Sequence, residues 1–304
     1  MLVYKRIRAT IGESPIWSER NQSIVWVDAA GHEIYTCSSV SGITHRYSVP
    51  FDVTAIVPTD NDSWICASKQ GLYLLSSEFE VASKITDPCS EQAHLHLNDA
   101  VASPNGEIWF GTMNSADLES PDGKLFILHQ GQLVEMDHGF SVANGIAFNA
   151  ALKRAYCSNM FQRKVYEYQL DHSMTRIVRK SVFLEFDESQ GYPDGLTIDS
   201  LGNLYVCHWD CGVVSYHASS SSHIGKASKL GEISLPVKHA TRCTFGGPNL
   251  ETLYVTTANY ELSEDETKRY PHSGCLFAIS APTKGNPEPW VKKEVTLPSL
   301  LVAS

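Results

Sequence analysis

Polar and apolar residues alternate along this chain in short runs, and one arrangement of them recurs six times. Each copy opens with a polar residue, continues with apolar residues two and four positions later, and ends after a turn in a β-branched or aromatic run. Such alternation predicts strands, and no helical periodicity separates the copies. Spaced by 41 to 50 residues, the copies begin at Glu13, Thr54, Asn98, Asn144, Asp194 and Thr241.

Four short strands per copy at this period are typical of the blades of a β-propeller. Polar turn segments that contain Gly, Asn or Asp separate the strands, as in SPNGE (103–107) and DSLGN (199–203). We therefore predict an all-β fold, a six-bladed β-propeller, that forms a single domain over residues 1–304. The weakly alternating segment 2–10 precedes the first copy, and we expect it to complete the last blade beside a strand near 274–279.

Charge and hydropathy narrow the class of partner. The net charge is −10 and no long basic tract is present, which argues against nucleic acid and anionic membranes and favours a neutral ligand or a cation. No apolar stretch approaches the ~20 residues that a membrane helix requires. Residues 1–14 are too short and too charged for a secretory signal. We expect a cytoplasmic protein with a small-molecule substrate and no protein partner.

The cysteines form neither a CxxC pair nor a His-rich zinc pattern. Several lie inside predicted strands, where a thiol behaves as a small apolar group, so we expect reduced thiols. Cys207 and Cys211 flank a turn, and a disulfide between them is the alternative, although a reducing compartment disfavours it. The eight positions are Cys37, Cys66, Cys89, Cys157, Cys207, Cys211, Cys243 and Cys275.

The residues that open the copies carry the candidate chemistry. Glu13, Asn144 and Asp194 supply two carboxylates and one amide from three different blades. If all inner strands start at the same end of the channel, these side chains and Asn98 converge on one point. Hard divalent cations bind such oxygen ligands, and two adjacent carboxylates need a cation or a proton between them. Asp and Asn also open ordinary turns, so the shared repeat position is what indicates a site.

Four segments together resemble the senescence-marker-protein/gluconolactonase/luciferin-regenerating-enzyme family: GESPIW (12–17), HLNDAVASPNGEIWFGTM (96–113), SVANGIAFN (141–149) and GYPDGLTIDSLGNLYV (191–206). The resemblance runs from about residue 12 to 277. It implies a six-bladed propeller with one divalent metal in its channel, as in family members that hydrolyse sugar lactones. It further implies that Glu13, Asn144 and Asp194 are metal ligands, that Asp194 also transfers a proton, and that Asn98 lies at the substrate.

The expected function is therefore metal-dependent hydrolysis of a sugar lactone to the aldonic acid. The metal acts as a Lewis acid on the lactone carbonyl, and Asp194 is the general base for the attacking water. Ca²⁺, Mg²⁺ or Mn²⁺ suits an oxygen-only site, and Zn²⁺ or Fe²⁺ can also occupy one. No GxSxG, GxGxxG or Walker A motif is present. A phosphotriesterase-like hydrolase and a non-catalytic metal-binding regulatory propeller are the alternatives.

Two positions depart from the family pattern. His96 stands where many members have an arginine, and Ala116 stands where animal gluconolactonases have a glutamate. Both family positions contact sugar hydroxyls, and a forked guanidinium is not readily replaced, so we expect a different hydroxyl pattern in the substrate. The candidate substrate contacts are Asn98, His96, Asn114, Trp209 and Tyr192.

Several of these candidates have a purely structural alternative. His94 and His96 alternate with leucines and fit the polar face of a strand, while Trp209 and Tyr192 fit packing positions. Arg242 follows the opening residue of the sixth copy. It either brings a positive charge to the channel or forms a structural ion pair.

Overall fold

A computed structural model describes residues 2–292 of the chain; Met1 and residues 293–304 of the predicted domain lie outside the described residues. Short antiparallel strands make up nearly all of it. The strands, in chain order, are β1 (Leu2–Lys5), β2 (Gly12–Ser18), β3 (Ser23–Asp28), β4 (Glu33–Ser38), β5 (Thr44–Ser48), β6 (Val53–Pro58), β7 (Trp64–Ser68), β8 (Gly71–Leu75), β9 (Val81–Thr86), β10 (Leu95–Ala102), β11 (Ile108–Asn114), β12 (Gly123–His129), β13 (Gln132–Phe140), β14 (Ala143–Asn149), β15 (Arg154–Asn159), β16 (Lys164–Leu170), β17 (Ile177–Glu185), β18 (Tyr192–Ile198), β19 (Leu204–Trp209), β20 (Val213–Ser219), β21 (Ala227–Ser234), β22 (His239–Gly246), β23 (Thr252–Ala258) and β24 (Leu276–Ser280).

The strands form six four-stranded sheets. Five sheets take four consecutive strands each, starting at β2, β6, β10, β14 and β18, and the sixth joins β22, β23 and β24 to β1. The first strand of each sheet contacts the first strand of the next, and β22 returns to β2, so the six sheets close into a ring. This arrangement confirms the predicted six-bladed β-propeller.

The sixth blade is completed by the strand that begins the described chain. β1 pairs antiparallel with β24, with Val3 opposite Phe277. This pairing confirms the expectation for segment 2–10, and it covers the outer edge that β24 would otherwise leave open.

Helices are minor elements. A 3₁₀-helix spans Glu188–Gln190, and the α-helix α1 spans Glu264–Arg269. Neither approaches the length needed to cross a bilayer, and no other helix occurs within residues 2–292. All eight cysteines are free thiols, so Cys207 and Cys211 do not form the disulfide left open above.

The apolar core is divided among the junctions between blades. Six clusters of buried side chains are present in the described chain, one between each pair of neighbouring sheets. Between blades three and four, for example, Trp109 and Phe140 pack with Ile146 and Tyr168. Because the apolar core lies between the sheets, the inner strands can direct polar side chains into the channel.

Every inner strand carries a register shift at its opening residue. The shifts fall between Glu13 and Ile16 in β2, and at the matching places in β6, β10, β14, β18 and β22. A bulge re-aims the side chain of the extra residue and bends the strand. Repetition of the bulge around the ring therefore directs the opening residues of the first five copies toward the same end of the channel. Thr241 of the sixth copy is buried instead, and its hydroxyl donates to the Gly12 carbonyl at 2.6 Å.

Segment 281–292 crosses the other end of the channel. Gly285 forms a bridge with Asp199, and Val291 forms a parallel bridge with Thr59. The Lys292 N–H donates to the Gly106 carbonyl at 2.9 Å. The segment thereby ties the turns of blades five, two and three together beneath the channel.

Candidate active site

A cavity of about 630 Å³ opens at the end of the channel where the inner strands begin. Seven of the eight predicted site residues line it. These are Glu13, His96, Asn98, Asn144, Tyr192, Asp194 and Trp209. The eighth, Asn114, is buried outside the lining: its Nδ2 donates to Asp122 at 3.0 Å, and its Oδ1 accepts from the Ala116 and Asp117 N–H groups. Ala116, one of the two departures, is likewise not part of the lining.

The candidate metal ligands come together from blades one, four and five. The Asn144 Nδ2 donates to the Asp194 carboxylate, and both side chains are buried. The Glu13 carboxylate is half-buried and accepts from the Ser14 N–H at 3.1 Å. The backbone of Asp194 is anchored in turn, because the Ser158 hydroxyl donates to its carbonyl at 2.9 Å.

Glycine follows Asn144 and Asp194 for a steric reason. Gly145 has φ +52°, and a Cβ there would lie 2.2 Å from the Asp194 carbonyl oxygen. A Cβ on Gly195 would lie 2.5 Å from the Arg242 side chain. Only glycine permits this close approach of neighbouring inner strands. The Asn-Gly and Asp-Gly pairs of the sequence are therefore conditions for bringing the two side chains together.

The carboxylates of the cavity are poorly compensated. Burial raises the pKa of Glu13 to about 8, and the nearby Asp99 carboxylate adds to this effect. Burial also raises the pKa of Asp194 well above its ordinary value, with further contributions from Glu13 and Asp99. Two acidic groups whose ionised forms are both disfavoured at one place are what a bound cation would stabilise.

The donor set therefore fits a divalent cation. It offers two carboxylates and the Asn144 amide, whose Oδ1 accepts from the Gly145 N–H at 2.9 Å while its Nδ2 faces Asp194, so the amide must turn to present its oxygen to a cation. More acidic than basic side chains line the cavity. Within residues 2–292, no group of three or more His, Cys, Asp or Glu side chains is arranged to hold a metal. The candidate set has two such side chains and depends on Asn144 for the third donor.

A buried ion pair in the channel was not foreseen as a pair. The Arg242 guanidinium of blade six donates to the Asp99 carboxylate of blade three, and both side chains are buried. Asp99 also accepts from the Ala100 N–H at 2.8 Å and the Ile146 N–H at 3.3 Å. Both alternatives considered for Arg242 hold: it brings a positive charge to the channel, and that charge is held in a structural pair.

His96 lines the side of the cavity formed by blades two and three. Its Nδ1 lies 2.9 Å from the Leu97 carbonyl, which can only accept, so Nδ1 carries the proton. Burial lowers the pKa of His96, and Lys69 lowers it further. The ring is therefore neutral, and its Nε2 is available as a hydrogen-bond acceptor. An arginine at this position would supply only donors.

Aromatic rings dominate the opposite side, over blades four to six. Tyr192 packs against Phe161 at 5.0 Å between ring centroids, and the Arg163 guanidinium lies 4.3 Å from its ring. Trp209 stacks on His239 with centroids 3.9 Å apart. His239 was not among the predicted residues, although it stands two positions before the opening residue of its copy, as His96 and Tyr192 do in theirs. That shared repeat position is the signal that could have indicated it.

The chain is similar in sequence to known proteins over most of its length. The profile of the SMP-30/Gluconolactonase/LRE-like region matches residues 11–259. A putative sugar lactone lactonase of Bacillus subtilis (strain 168), YvrE, is 32% identical over 281 residues, which cover 91% of this chain and 94% of that protein. The pentonolactonase XacC of Haloferax volcanii is 29% identical over 288 residues, covering 91% of this chain and 93% of its own.

Solved structures give the same result for the fold. A luciferin-regenerating enzyme superposes with a TM-score of 0.86 and 25% identity, covering 94% of this chain and 97% of its own. A regucalcin from Agrobacterium tumefaciens strain C58 superposes with a TM-score of 0.87 at 22% identity, over 95% of this chain and 96% of its own. The chain is thus a member of the SMP-30/gluconolactonase/LRE-like family.

Proposed function

We propose that this protein hydrolyses a sugar lactone to the aldonic acid in a reaction that depends on a divalent metal. The observation that carries the proposal is the meeting of Glu13, Asn144 and Asp194 in one cavity. It is supported by relatives named as lactonases that match more than nine-tenths of the chain. A 6-deoxy-6-sulfogluconolactonase of Pseudomonas putida, 29% identical over 288 residues, belongs to the same group of relatives.

Glu13, Asn144 and Asp194 would hold the metal. When bound, it supplies a Lewis acid that polarises the lactone carbonyl. Ca²⁺, Mg²⁺, Mn²⁺, Zn²⁺ and Fe²⁺ all remain candidates for an oxygen-donor set of this kind. The two carboxylates also make the cavity attractive to a cation without any contribution from the substrate. Arg242 is the basic side chain that lowers the pKa of both carboxyl groups, and its guanidinium is already paired with Asp99.

Asp194 would serve as the general base. Its carboxylate takes a proton from water as the water oxygen attacks the carbonyl carbon. The ring C–O bond then breaks, and the same proton passes to the departing ring oxygen, so that the aldonic acid is formed without any covalent enzyme intermediate.

The remaining lining residues would orient the sugar. Asn98 lines the cavity, and its Nδ2 has only a long contact of 3.4 Å with the Ala143 carbonyl, so it can donate to the substrate. His96 would accept from a substrate hydroxyl through Nε2. Tyr192 would face the apolar side of the lactone ring, and Trp209 would face the apolar side of a sugar farther from Asp194. Asn114 would act on the substrate only indirectly, by shaping the loop that contains Ser115.

The test is a panel of aldonolactones assayed by acid release, with enzyme that has been stripped by a chelator and reloaded with each metal in turn. We expect turnover of at least one five- or six-membered sugar lactone, and loss of turnover on chelation. Stoichiometric metal binding without any lactone turnover would instead favour the regulatory propeller. Faster turnover of a phosphotriester than of every lactone would favour the phosphotriesterase alternative.

Substrate choice has its own test at His96. His96→Ala removes an acceptor and leaves the metal-ligand candidates intact. An unmatched buried polar group costs ~1–3 kcal/mol, which corresponds to roughly a 5- to 150-fold change in kcat/KM for the lactone that uses the contact. We expect the ranking among lactones to change and the metal affinity to stay the same. A variant that loses the metal, or that leaves every kcat/KM unchanged, contradicts this role.

A further inference from the structure

Three loops over blades five and six each place one ring and one charged side chain at the cavity. In each loop the residue with the ring and the charged residue are adjacent in sequence. We call these six residues the rim cluster. They are Trp209 with Asp210, Lys238 with His239, and Tyr260 with Glu261. The first pair lies at the end of β19, the second at the start of β22, and the third follows β23.

The rings of the rim cluster form a platform. Trp209 and His239 are stacked, with an interplanar angle of 28°, and Tyr260 lies 6.4 Å from Trp209 at an angle of 53°. His239 covers one side of the indole and is itself buried, whereas Trp209 is half-exposed and Tyr260 is 38% exposed. The remaining indole surface and the tyrosine ring are therefore open to a ligand in the cavity.

The charged groups hold the platform in place and border it. The Asp210 N–H donates to His239 Nδ1 at 3.2 Å, which ties the loop after β19 to the start of β22. Lys238 Nζ lies 3.3 Å from Asp210 Oδ1 and 2.7 Å from Glu266 Oε1. The platform is thus organised before any ligand binds, so that binding need not order it.

This combination matches the chemistry of a pyranose ring. The C–H face of a sugar is apolar and packs on an aromatic ring, and its hydroxyls require hydrogen-bond donors and acceptors at the ring edge. An aryl or alkyl group of the same size would cover the rings but would also desolvate Asp210 and Lys238 without replacing their water contacts. The rim cluster therefore favours a sugar over a purely apolar group.

The size of the cavity leaves room for a second ring. A volume of about 630 Å³ lies in the range that holds drug-sized ligands, and a single sugar lactone is smaller than these. The lactone ring must reach Asp194 and Asn98, because the proposed reaction takes place there. A substituent on that ring that points toward blades five and six meets Trp209 and Tyr260.

We infer that the rim cluster is a subsite for a glycosyl unit, and that the substrate class is an aldonolactone that carries a second sugar. This inference rests on the proposed lactonase activity. The reaction itself is unchanged: one water is consumed, the lactone C–O bond breaks, and the glycosidic bond stays intact.

The experiment compares gluconolactone with the 1,5-lactones of 4-O-glucosyl- and 4-O-galactosyl-gluconic acid. We expect at least one of the two-ring lactones to have a kcat/KM about tenfold or more above that of the single-ring lactone. Trp209→Ala and, separately, Tyr260→Ala should bring this ratio close to one. Trp290→Ala is the matched control, because Trp290 is also 38% exposed but lies on segment 281–292, stacked on Arg20 and away from the cavity.

A binding measurement separates this inference from the proposed activity. Calorimetric titration with 4-O-glucosyl-glucitol and with glucitol reports on the subsite without any turnover. Tighter binding of the two-ring alditol that Trp209→Ala abolishes supports the subsite even if no lactone is hydrolysed. Equal kcat/KM and equal binding for one-ring and two-ring compounds overturn it. A preference for an aryl- or alkyl-substituted lactone over the glycosyl lactone overturns the assignment to sugar.

Discussion

Asp99 and Asp194 occupy nearly the same environment and are held in opposite ways. Each lies at the bulge of an inner strand, each is almost completely buried, and both line the same cavity. Asp99 accepts from the Arg242 guanidinium and from two backbone N–H groups. The Asp194 carboxylate accepts from the Asn144 amide alone among the contacts of the described chain.

This difference separates a structural charge from a reactive one. A buried carboxylate that accepts from a guanidinium and two N–H groups has most of its lone pairs committed and its charge paired, so it has little left to offer a substrate or a cation. Asp194 and Glu13, whose pKa values are raised by burial, still need a partner. Burial and charge alone therefore do not identify a functional acid; the number of donors already committed to it does.

The largest expected effect is on catalysis at Asp194. Asp194→Asn keeps the shape and the hydrogen-bonding capacity but removes the base, so kcat/KM for the best lactone should fall by about 10³-fold or more. This fall in kcat/KM is measured from initial rates of acid release at saturating metal. Near-full turnover in metal-loaded Asp194→Asn would show that the base is elsewhere. Glu251→Gln, at an exposed pair with Lys284, is the control for substitution of an acid.

The comparison predicts opposite effects on stability in the metal-free protein. Asp99→Asn leaves Arg242 buried without its counter-charge and should lower the free energy of unfolding by about 3–5 kcal/mol. Asp194→Asn removes a carboxyl group whose ionised form is disfavoured by burial and should raise the free energy of unfolding. Urea unfolding with a chelator at pH 7.5 measures both. A loss of stability in both variants would contradict the distinction drawn between the two acids.

Glu13 offers a pH-dependent form of the same test. The pKa of Glu13 in the folded protein, about 8, lies above its ordinary value of 4.5. Ionisation of Glu13 therefore lowers the free energy of unfolding as the pH rises from 4.5 to 8, and it has no such effect below pH 4.5. When a chelator is present, the free energy of unfolding of Glu13→Gln should therefore rise relative to that of the wild type by about 2–4 kcal/mol as the pH is raised from 4.5 to 8. Saturating divalent metal should remove the gain. A difference that does not vary with pH would mean that Glu13 titrates normally.

A smaller effect on stability is expected at a buried hydrogen-bonded chain of neutral side chains formed by His208, Ser215 and His217. His208 Nδ1 lies 2.8 Å from the Gln190 carbonyl, its Nε2 lies 2.7 Å from the Ser215 hydroxyl, and that hydroxyl lies 2.9 Å from His217 Nε2. The carbonyl of Gln190 can only accept, so His208 donates to it and accepts from Ser215, to which His217 donates in turn. Burial lowers the pKa of both histidines to about 4.

These histidines bind protons more readily when unfolded, so stability is complete above pH 6.5 and is lost as pH falls toward 4. His217→Gln keeps a donor for Ser215 but cannot titrate. We expect the stability lost between pH 7 and pH 5 to be about 2 kcal/mol smaller in His217→Gln than in wild type. Equal losses in the two proteins would show that His217 is already protonated, or is exposed, in the folded state.

The fold was predictable because the repeat spacing and the strand pattern are local properties of the sequence. The ion pair between Asp99 and Arg242 could not be predicted in this way. Strict alternation directs neighbours such as Asn98 and Asp99 to opposite faces of a strand. The register shift between Leu97 and Ala100 breaks that alternation, and both side chains line the cavity. No local signal in the sequence marks a bulge of this kind.

The rim cluster and segment 281–292 were missed for a related reason. Lys238 and Tyr260 lie outside the opening motif of their copy, and only the closed ring brings their loops beside Trp209. Segment 281–292 has no strand pattern at all, and single bridges hold it to blades that are distant in sequence. Seven of the eight predicted site residues line one cavity, four of them because they open a copy of the repeat, and the function of all eight stays a prediction.

The pairing of β1 with β24 has a consequence for how the ring is made. Val3 and Phe277 are neighbours in the finished sheet, yet nearly the whole chain separates them. As the polypeptide leaves the ribosome, blades one to five can pair their own strands in turn, but β1 has no partner until β24 emerges. Closing so long a loop is slow, and an unpaired strand can meanwhile pair with another chain. Assembly of the sixth blade is therefore the step at which nascent chains are most exposed to aggregation.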